Sequence, residues 1–227
     1  MTSIFRNIGW LLGSRGINAA LSLIYLALAT RSLGVEGFGQ FSVIIVLAQA
    51  IAGIASFNTW QAVVHWGHAE GNTAPVTGFA LALDLVSICA GLALAALASV
   101  TAPAWLPLSS ELGPAAFALC TAALIGMRST PTGLLRLNDR YDLATLAETT
   151  LPATRAAGAI IAALFVQDIV GFVAAWAAAE IVCAATYWLL ARQYVQLHFA
   201  DISLRRLPRA LPGVWSFVFA TSFSRTA

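Results

Sequence analysis

The sequence predicts an all-α membrane protein, a bundle of about six transmembrane helices joined by short connections. Apolar residues make up 59% of the 227 residues and charged residues only 10%, whereas a soluble domain carries about 25% charged residues. The mean hydropathy is +0.82. The apolar residues also fall into runs of roughly 20, the length at which a helix crosses the hydrocarbon core of a bilayer.

The apolar runs place six spans along the chain. They cover residues 9–31, 41–64, 75–100, 114–136, 143–166 and 170–191. Residues 1–192 then form one six-helix lobe, residues 193–214 a basic cytoplasmic linker, and residues 215–227 a truncated start of the next transmembrane helix. We therefore expect either part of a longer protein or a half-size chain that pairs with a second copy, since repeats can assemble across an interface.

The placement of arginines predicts a cytoplasmic N-terminus. With that orientation the outer segments hold only Arg31, and the inner segments hold seven arginines. Basic residues concentrate on the cytoplasmic side of membrane proteins, which favours this topology. The seven inner residues are Arg6, Arg136, Arg140, Arg192, Arg205, Arg206 and Arg209.

The first predicted span carries a polar stripe. Steps of three or four residues from Arg15 reach Asn18, Ser22 and Tyr25, so these four side chains share one helix face. The opposite face is apolar. A transmembrane helix with one polar face turns that face toward a cavity or the bundle interior, because lipid cannot solvate it.

Six charged residues lie within the predicted spans or near their edges. Each costs about 2.5–3.5 kcal/mol at the centre of a lipid-facing helix, so together they indicate a polar interior. The carboxylates are either ion-coupling groups or structural partners of the arginines, such as Glu148 for Arg155 or Asp84 for Arg128. The six residues are Arg15, Asp84, Arg128, Glu148, Arg155 and Glu180.

The buried arginines favour an anionic ligand that carries sugars. Guanidinium groups donate charge-assisted hydrogen bonds to phosphate oxygens, and neutral polar side chains hydrogen-bond sugar hydroxyls. We expect the cavity to be lined by Arg15, Asn18, Ser22, Tyr25, Gln49, Arg128, Thr132 and Arg155.

Several motifs together resemble one family of transporters. The most specific is the connector Arg31-Ser-Leu-Gly34…Gly37-Phe-Gly39 behind a span that contains Asn7…Arg15-Gly16…Asn18. Looser similarities are Gly133-Leu-Leu-Arg136-Leu-Asn-Asp-Arg140-Tyr-Asp142, the Asp84 segment Ala82-Leu83-Asp84-Leu85, and Pro152…Arg155. With these motifs the chain resembles the polysaccharide transporters, or O-antigen-type flippases of lipid-linked oligosaccharides, of the multidrug/oligosaccharidyl-lipid/polysaccharide exporter superfamily.

This resemblance implies two six-helix lobes around a cavity, of which the chain would be the N-terminal one. It implies alternating-access transport of an undecaprenyl-diphosphate-linked oligosaccharide from the inner to the outer leaflet of a bacterial inner membrane, for cell-surface polysaccharide such as the O-antigen of lipopolysaccharide. Arg15 would meet the diphosphate. The expected partners are this lipid-linked oligosaccharide, membrane lipids, and a C-terminal lobe or a second copy. No nucleic acid is expected.

Three alternatives stay open, of which one is a structural membrane subunit that carries no cargo. A cation-coupled drug antiporter of the same superfamily would use Asp84 or Glu180 as its ion-coupling site. A prenyltransferase-like membrane enzyme would hold magnesium against a diphosphate with paired aspartate motifs, of which the turn 138–142, Asn-Asp-Arg-Tyr-Asp, could be one. The sequence offers no second Asp-rich motif. We therefore expect no enzymatic activity, catalytic residue, cofactor or metal site.

Overall fold

The computed structural model describes residues 2–68, 73–205, 207–208 and 213–223, with only the backbone for residues 2–15, 17 and 223. Within this part of the chain the structure is helical and contains no strand, which confirms the predicted all-α class. The main α-helices are α1 Thr2–Ala55, α2 Thr59–Trp66, α3 Thr73–Thr101, α4 Gly113–Ile125, α5 Ser129–Leu137, α6 Tyr141–Ile161, α7 Ile169–Ala191 and α8 Val214–Phe223.

Five helical segments are long and apolar enough to cross a membrane by length and composition. They make the chain a multi-pass membrane protein. Two of them combine consecutive helices, since α4 and α5 belong to one segment and α6 continues into a π-helical turn at Ala162–Val166. The segments are Asn18–Ala55, Thr73–Ala104, Ser110–Leu137, Tyr141–Val166 and Ile169–Tyr194.

The first of these segments folds back on itself. Gly34 has φ 66° and ψ −174°, a backbone conformation that is essentially restricted to glycine. The ring centroids of Tyr25 and Phe41 lie 4.7 Å and 5.0 Å from that of Trp176. In a straight helix these two residues would be about 24 Å apart along the axis. The chain therefore reverses at Gly34, and with the two arms of α1 counted separately, the prediction of about six spans is confirmed.

Gly34→Ala is expected to lower the free energy of unfolding by about 1–3 kcal/mol, because a Cβ is strained in this conformation. Thermal unfolding in detergent measures the change. Gly39→Ala is the matched control, since Gly39 lies in the helical second arm and a Cβ there meets no atom within 4 Å. Equal melting temperatures for the two variants would contradict the assignment of strain to the reversal at Gly34.

Two of the predicted spans, residues 41–64 and 114–136, contain a break in the helix that the sequence analysis did not predict. The helix α1 ends at Ala55 and α2 begins at Thr59, and a similar break separates α4 from α5. Asn58 and Arg128, which precede α2 and α5, have non-helical dihedral angles. At membrane depth such backbone is tolerated only where it is buried in protein or lines a cavity. The two breaks therefore indicate a polar interior.

The core consists of two apolar clusters with a polar layer between them. One cluster contains Phe41, Ile44, Leu124, Phe172 and Trp176. The other is built from different stretches of α3, α6 and α7 together with α2, α5 and α8, and it contains Val63, Phe79, Leu134, Tyr187 and Val214. Along α7 the first cluster ends before Glu180 and the second begins after it. Asp84 and Arg155 occupy the corresponding positions on α3 and α6.

The chain after α7 returns to the bundle. A Cβ at Gly78 on α3 would collide with the carbonyl of Asp201, so the turn Phe199–Asp201 packs directly on this glycine. Leu207 is buried in the second cluster. In α8, Phe217 stacks on His65 with ring centroids 4.9 Å apart. The segment predicted as a linker thus packs against the bundle, and its cytoplasmic location stays a prediction, with Arg206 and Arg209 outside the described residues.

Candidate polar cavity

A cavity of about 870 Å³ opens beside the two helix breaks. Its volume lies within the range of about 300–1,000 Å³ that is usual for ligand sites. Both breaks contribute to its wall, and Trp60, Leu151 and Thr221 bring in α2, α6 and α8. The break residues that line it are Ser56, Asn58, Gly126, Met127 and Arg128.

The structure brings together some of the predicted cavity residues and not others. Gln49, Arg128, Thr132 and Arg155 line the cavity, as does Glu180. The described lining does not include Asn18, Ser22 or Tyr25, and the side chain of Arg15 lies outside the described part of the chain. The binding role of every one of these residues stays a prediction.

Two arginines and one glutamate form the centre of the cavity wall. Glu180 accepts a hydrogen bond from Arg155 Nη2 on Oε1 at 2.7 Å and one from Arg128 Nη1 on Oε2 at 3.0 Å. The side chains are only partly exposed, at 15% for Glu180, 14% for Arg155 and 25% for Arg128. Such charge-assisted bonds in a poorly solvated wall are stronger than bonds between neutral groups.

A second carboxylate completes this group. Glu148 lies 3.5 Å from Arg128 Nη2 and accepts a hydrogen bond from the Tyr187 hydroxyl at 3.0 Å. The four charged groups therefore have no net formal charge. The pairings expected from the sequence, Arg155 with Glu148 and Arg128 with Asp84, were wrong. Glu148 and Arg155 lie about 10 Å apart along α6, and each has a nearer partner on another element. Asp84 bonds to two threonines instead of to Arg128.

Small residues allow the helices to approach closely at this point. A Cβ at Gly126 would lie 3.0 Å from Cβ of Glu180, so glycine lets α7 contact the α4–α5 break. A Cβ at Gly158 would lie 2.6 Å from Cβ of Ala175, which shows that α6 and α7 pack tightly one turn away from Arg155. Small residues at helix contacts are common in membrane bundles, because they let the backbones approach.

Trp176 connects the charged group to the first arm of α1. The guanidinium carbon of Arg155 lies 5.1 Å from the centroid of the Trp176 ring, a cation–π distance. On its other side Trp176 contacts the ring of Tyr25 edge-on. Tyr25, which was predicted to line the cavity, therefore packs against Trp176, and the polar stripe in the sequence did not predict this contact.

Asp84 lies outside the described cavity lining and holds the two breaks together. Its Oδ1 accepts a hydrogen bond from the Thr59 hydroxyl at 2.9 Å. Its Oδ2 accepts from both the hydroxyl and the backbone N–H of Thr130. Asp84 is 5% exposed, and both threonines are fully buried. Since Thr59 and Thr130 are in the first turns of α2 and α5, Asp84 fixes the relative positions of the two short helices.

Sequence reasoning missed Asn58, Thr59, Thr130 and Tyr187. A signal for the breaks was present, because Asn58-Thr59 and Ser129-Thr130-Pro131 are typical of helix starts. Asn58 also connects α2 to α8, where its Nδ2 donates to the Thr221 carbonyl at 2.9 Å. The high hydropathy of the flanking residues obscured these signals.

In the turn 138–142, which resembles a prenyltransferase motif, the aspartate Asp142 is paired with the neighbouring Arg140. Arg140 Nε donates to Asp142 Oδ1 at 3.0 Å, and Nη2 donates to Oδ2 at 2.9 Å. Its Nη1 donates to the Tyr194 hydroxyl at 2.7 Å. The hydrogen bonds to Asp142 raise the pKa of Arg140 above its ordinary value. Both carboxylate oxygens of Asp142 are thus engaged, and the turn serves to join α6 to the segment after α7.

These features define a multi-pass membrane protein with a polar cavity at broken helices. A family model described as polysaccharide biosynthesis protein matches residues 4–224, and the chain belongs to this family. It is similar to the inner membrane protein YghQ of Escherichia coli (strain K12), with 33% identity over 241 residues, 99% of this chain and 66% of the relative. The chain therefore spans just under two thirds of that relative's length. No solved structure gives a significant match.

Proposed function

We propose that the protein is a flippase that carries an undecaprenyl-diphosphate-linked oligosaccharide from the inner to the outer leaflet of a bacterial inner membrane. Such transport supplies cell-surface polysaccharide, including the O-antigen of lipopolysaccharide. The observation that carries the proposal is the cavity at the helix breaks, where Arg128 and Arg155 stand beside neutral hydrogen-bonding side chains. Family membership and the inner-membrane relative support the same assignment.

The lining divides into groups suited to the two parts of such a headgroup. Arg128 and Arg155 would bind the diphosphate, because guanidinium and phosphate groups form charge-assisted hydrogen bonds. Gln49, Asn58 and Thr132 would bind sugar hydroxyls. The polyprenyl chain would stay in the lipid. Transport would proceed by alternating access without covalent chemistry, with the opposing cavity wall supplied by a second lobe or a second copy.

Transbilayer movement of a fluorescent undecaprenyl-diphosphate-linked sugar tests this proposal. Proteoliposomes with the protein are expected to expose the inner-leaflet label to an outside quencher faster than protein-free liposomes do. An unlinked, uncharged fluorescent lipid is the control cargo and should not be accelerated. Equal rates with and without protein, or equal acceleration of both lipids, would contradict the assignment.

A cation-coupled drug antiporter is the second candidate. One observation favours it: Glu180 on the wall and Glu148 behind Arg128 together match the charges of the two arginines. An antiporter would expel a cationic dye from proteoliposomes in response to a proton or sodium gradient. Dye export without binding of a lipid diphosphate would select this function over the flippase.

A further inference from the structure

Glu180 holds a position that an anionic ligand would otherwise take. Its two oxygens bind different guanidinium groups, Arg155 at 2.7 Å and Arg128 at 3.0 Å. Carboxylate and phosphate groups are recognised by arginine in the same way, through two N–H donors directed at two oxygens. A phosphate at this position would therefore satisfy the same donors.

The two arginines remain accessible from the cavity. Both line it, together with Glu180. Arg155 also has an unused donor, because its Nε is buried without a hydrogen-bond partner among the described residues. The carboxylate of Glu180 thus occupies the site, while one donor of Arg155 has no hydrogen-bond partner among the described residues.

We propose that Glu180 sets the binding threshold of the cavity: its carboxylate occupies the anion site, and the diphosphate of the cargo binds by replacing this carboxylate between Arg128 and Arg155. This inference rests on the proposed function. An attached carboxylate acts at a high effective concentration, so a competing ligand must bind considerably more strongly than a single carboxylate does. A diphosphate carries more charge and more acceptor oxygens than a monophosphate. Either lipid must displace this carboxylate, so Glu180 lowers the affinity for both by the same factor and sets how strongly a lipid must bind to enter the site. The diphosphate meets this requirement better than the monophosphate.

Glu148 provides a comparison within the same group. It lies 3.5 Å from one arginine, its side chain is 48% exposed, and it does not bridge to Arg155. Removing its charge changes the net charge of this group of four residues by the same amount as removing that of Glu180. If the bridge between the two arginines matters more than net charge, Glu180→Gln will change the lipid affinity more than Glu148→Gln does.

The test measures the affinities of undecaprenyl diphosphate and undecaprenyl monophosphate for the protein in lipid nanodiscs. The unaltered protein is expected to prefer the diphosphate by about tenfold or more, the value of one charge-assisted hydrogen bond. Glu180→Gln should strengthen binding of both lipids by a similar factor of about tenfold or more, so that the preference between them stays nearly unchanged. Glu148→Gln should strengthen binding less, and Glu111→Gln, on an exposed turn, should leave both affinities unchanged.

The outcomes separate this inference from the proposed function. If the unaltered protein binds undecaprenyl diphosphate but Glu180→Gln binds it no more tightly, the inference is wrong and the flippase proposal stands. An equal change in Glu148→Gln would also overturn it, since net charge would then explain the effect. If the unaltered protein and Glu180→Gln bind neither lipid, both proposals fail.

Protein stability supplies an independent measurement. Glu180→Gln leaves two poorly exposed guanidinium groups without their shared carboxylate, which is expected to lower the melting temperature. Undecaprenyl diphosphate should then raise the melting temperature of this variant more than that of the unaltered protein, because it restores an anion between the arginines. A loss of stability that the diphosphate does not restore would show that Glu180 is only structural and would overturn the inference.

Discussion

Arg128→Ala is expected to abolish measurable transport of an undecaprenyl-diphosphate-linked sugar in proteoliposomes. Arg128 donates to Glu180 and to Glu148, and it lies at the break before α5 on the cavity wall. Removing it eliminates the charged donor that we propose for the diphosphate and leaves Glu148 and Glu180 with only Arg155 to match their charge. Loss of one or two charge-assisted hydrogen bonds weakens binding by about 10- to 1,000-fold.

Two controls define the role of Arg128. Arg31→Ala removes an exposed arginine that is not part of the described cavity lining, and it should transport normally. Arg128→Lys keeps the charge but has no planar pair of donors for two carboxylates, so partial transport is expected. Full transport by Arg128→Ala would remove this residue from the binding site, and a loss as severe in Arg31→Ala would point to reduced insertion instead.

The fold class followed from the sequence because bilayer solvation is a strong constraint. Long apolar runs with few charges can only be membrane helices, whatever their detailed packing. The same property hid the helix breaks, since Ser56-Phe57-Asn58 and Gly126-Met127-Arg128 do not interrupt the average hydropathy. The chain can leave the helical path there because a residue on a different helix, Asp84, bonds to the first turns of both following helices.

The charged interior was also predictable, but its pairings were not. Buried arginines require carboxylates or ligands, so a network among the predicted charges was a sound expectation. Which carboxylate meets which arginine depends on how α6 and α7 are rotated about their axes. That rotation is set by close contacts such as Gly158 with Ala175, and by the stacking of Arg155 on Trp176. Spacing along one helix does not contain this information.

The two breaks form a repeated arrangement. In each case a membrane helix ends, a short helix follows, and a long helix leads back across the bundle: the second arm of α1, then α2 and α3, and again α4, α5 and α6. The backbone N–H of Trp60 in α2 donates to the hydroxyl of Ser129 in α5 at 3.1 Å, so the two short helices are joined directly as well as through Asp84. The cavity wall therefore depends on both breaks keeping one relative position.

Asp84→Ala is accordingly expected to destabilise the protein by about 3–5 kcal/mol, the second large effect. The change leaves the hydroxyls of Thr59 and Thr130 and the N–H of Thr130 buried without an acceptor, and each such group costs about 1–3 kcal/mol. Asp84→Asn keeps one acceptor oxygen but places an amide donor beside donors, so an intermediate loss is expected. Thermal or chemical unfolding in detergent measures both changes.

Asp168→Ala is the matched control, because Asp168 is also a carboxylate that accepts a backbone N–H, from Gly171 at 2.7 Å, but at an exposed helix start. Removing this carboxylate should lower the free energy of unfolding by only about 1 kcal/mol.

Because Asp84 touches the first turns of α2 and α5 and not the described cavity, Asp84→Asn should reduce transport by displacing Asn58 and Arg128 from their places in the wall. If Asp84→Asn has normal stability but no ion-driven transport, Asp84 is an ion-coupling group instead. If Asp84→Ala is as stable as the unaltered protein, Asp84 does not hold the two short helices in position.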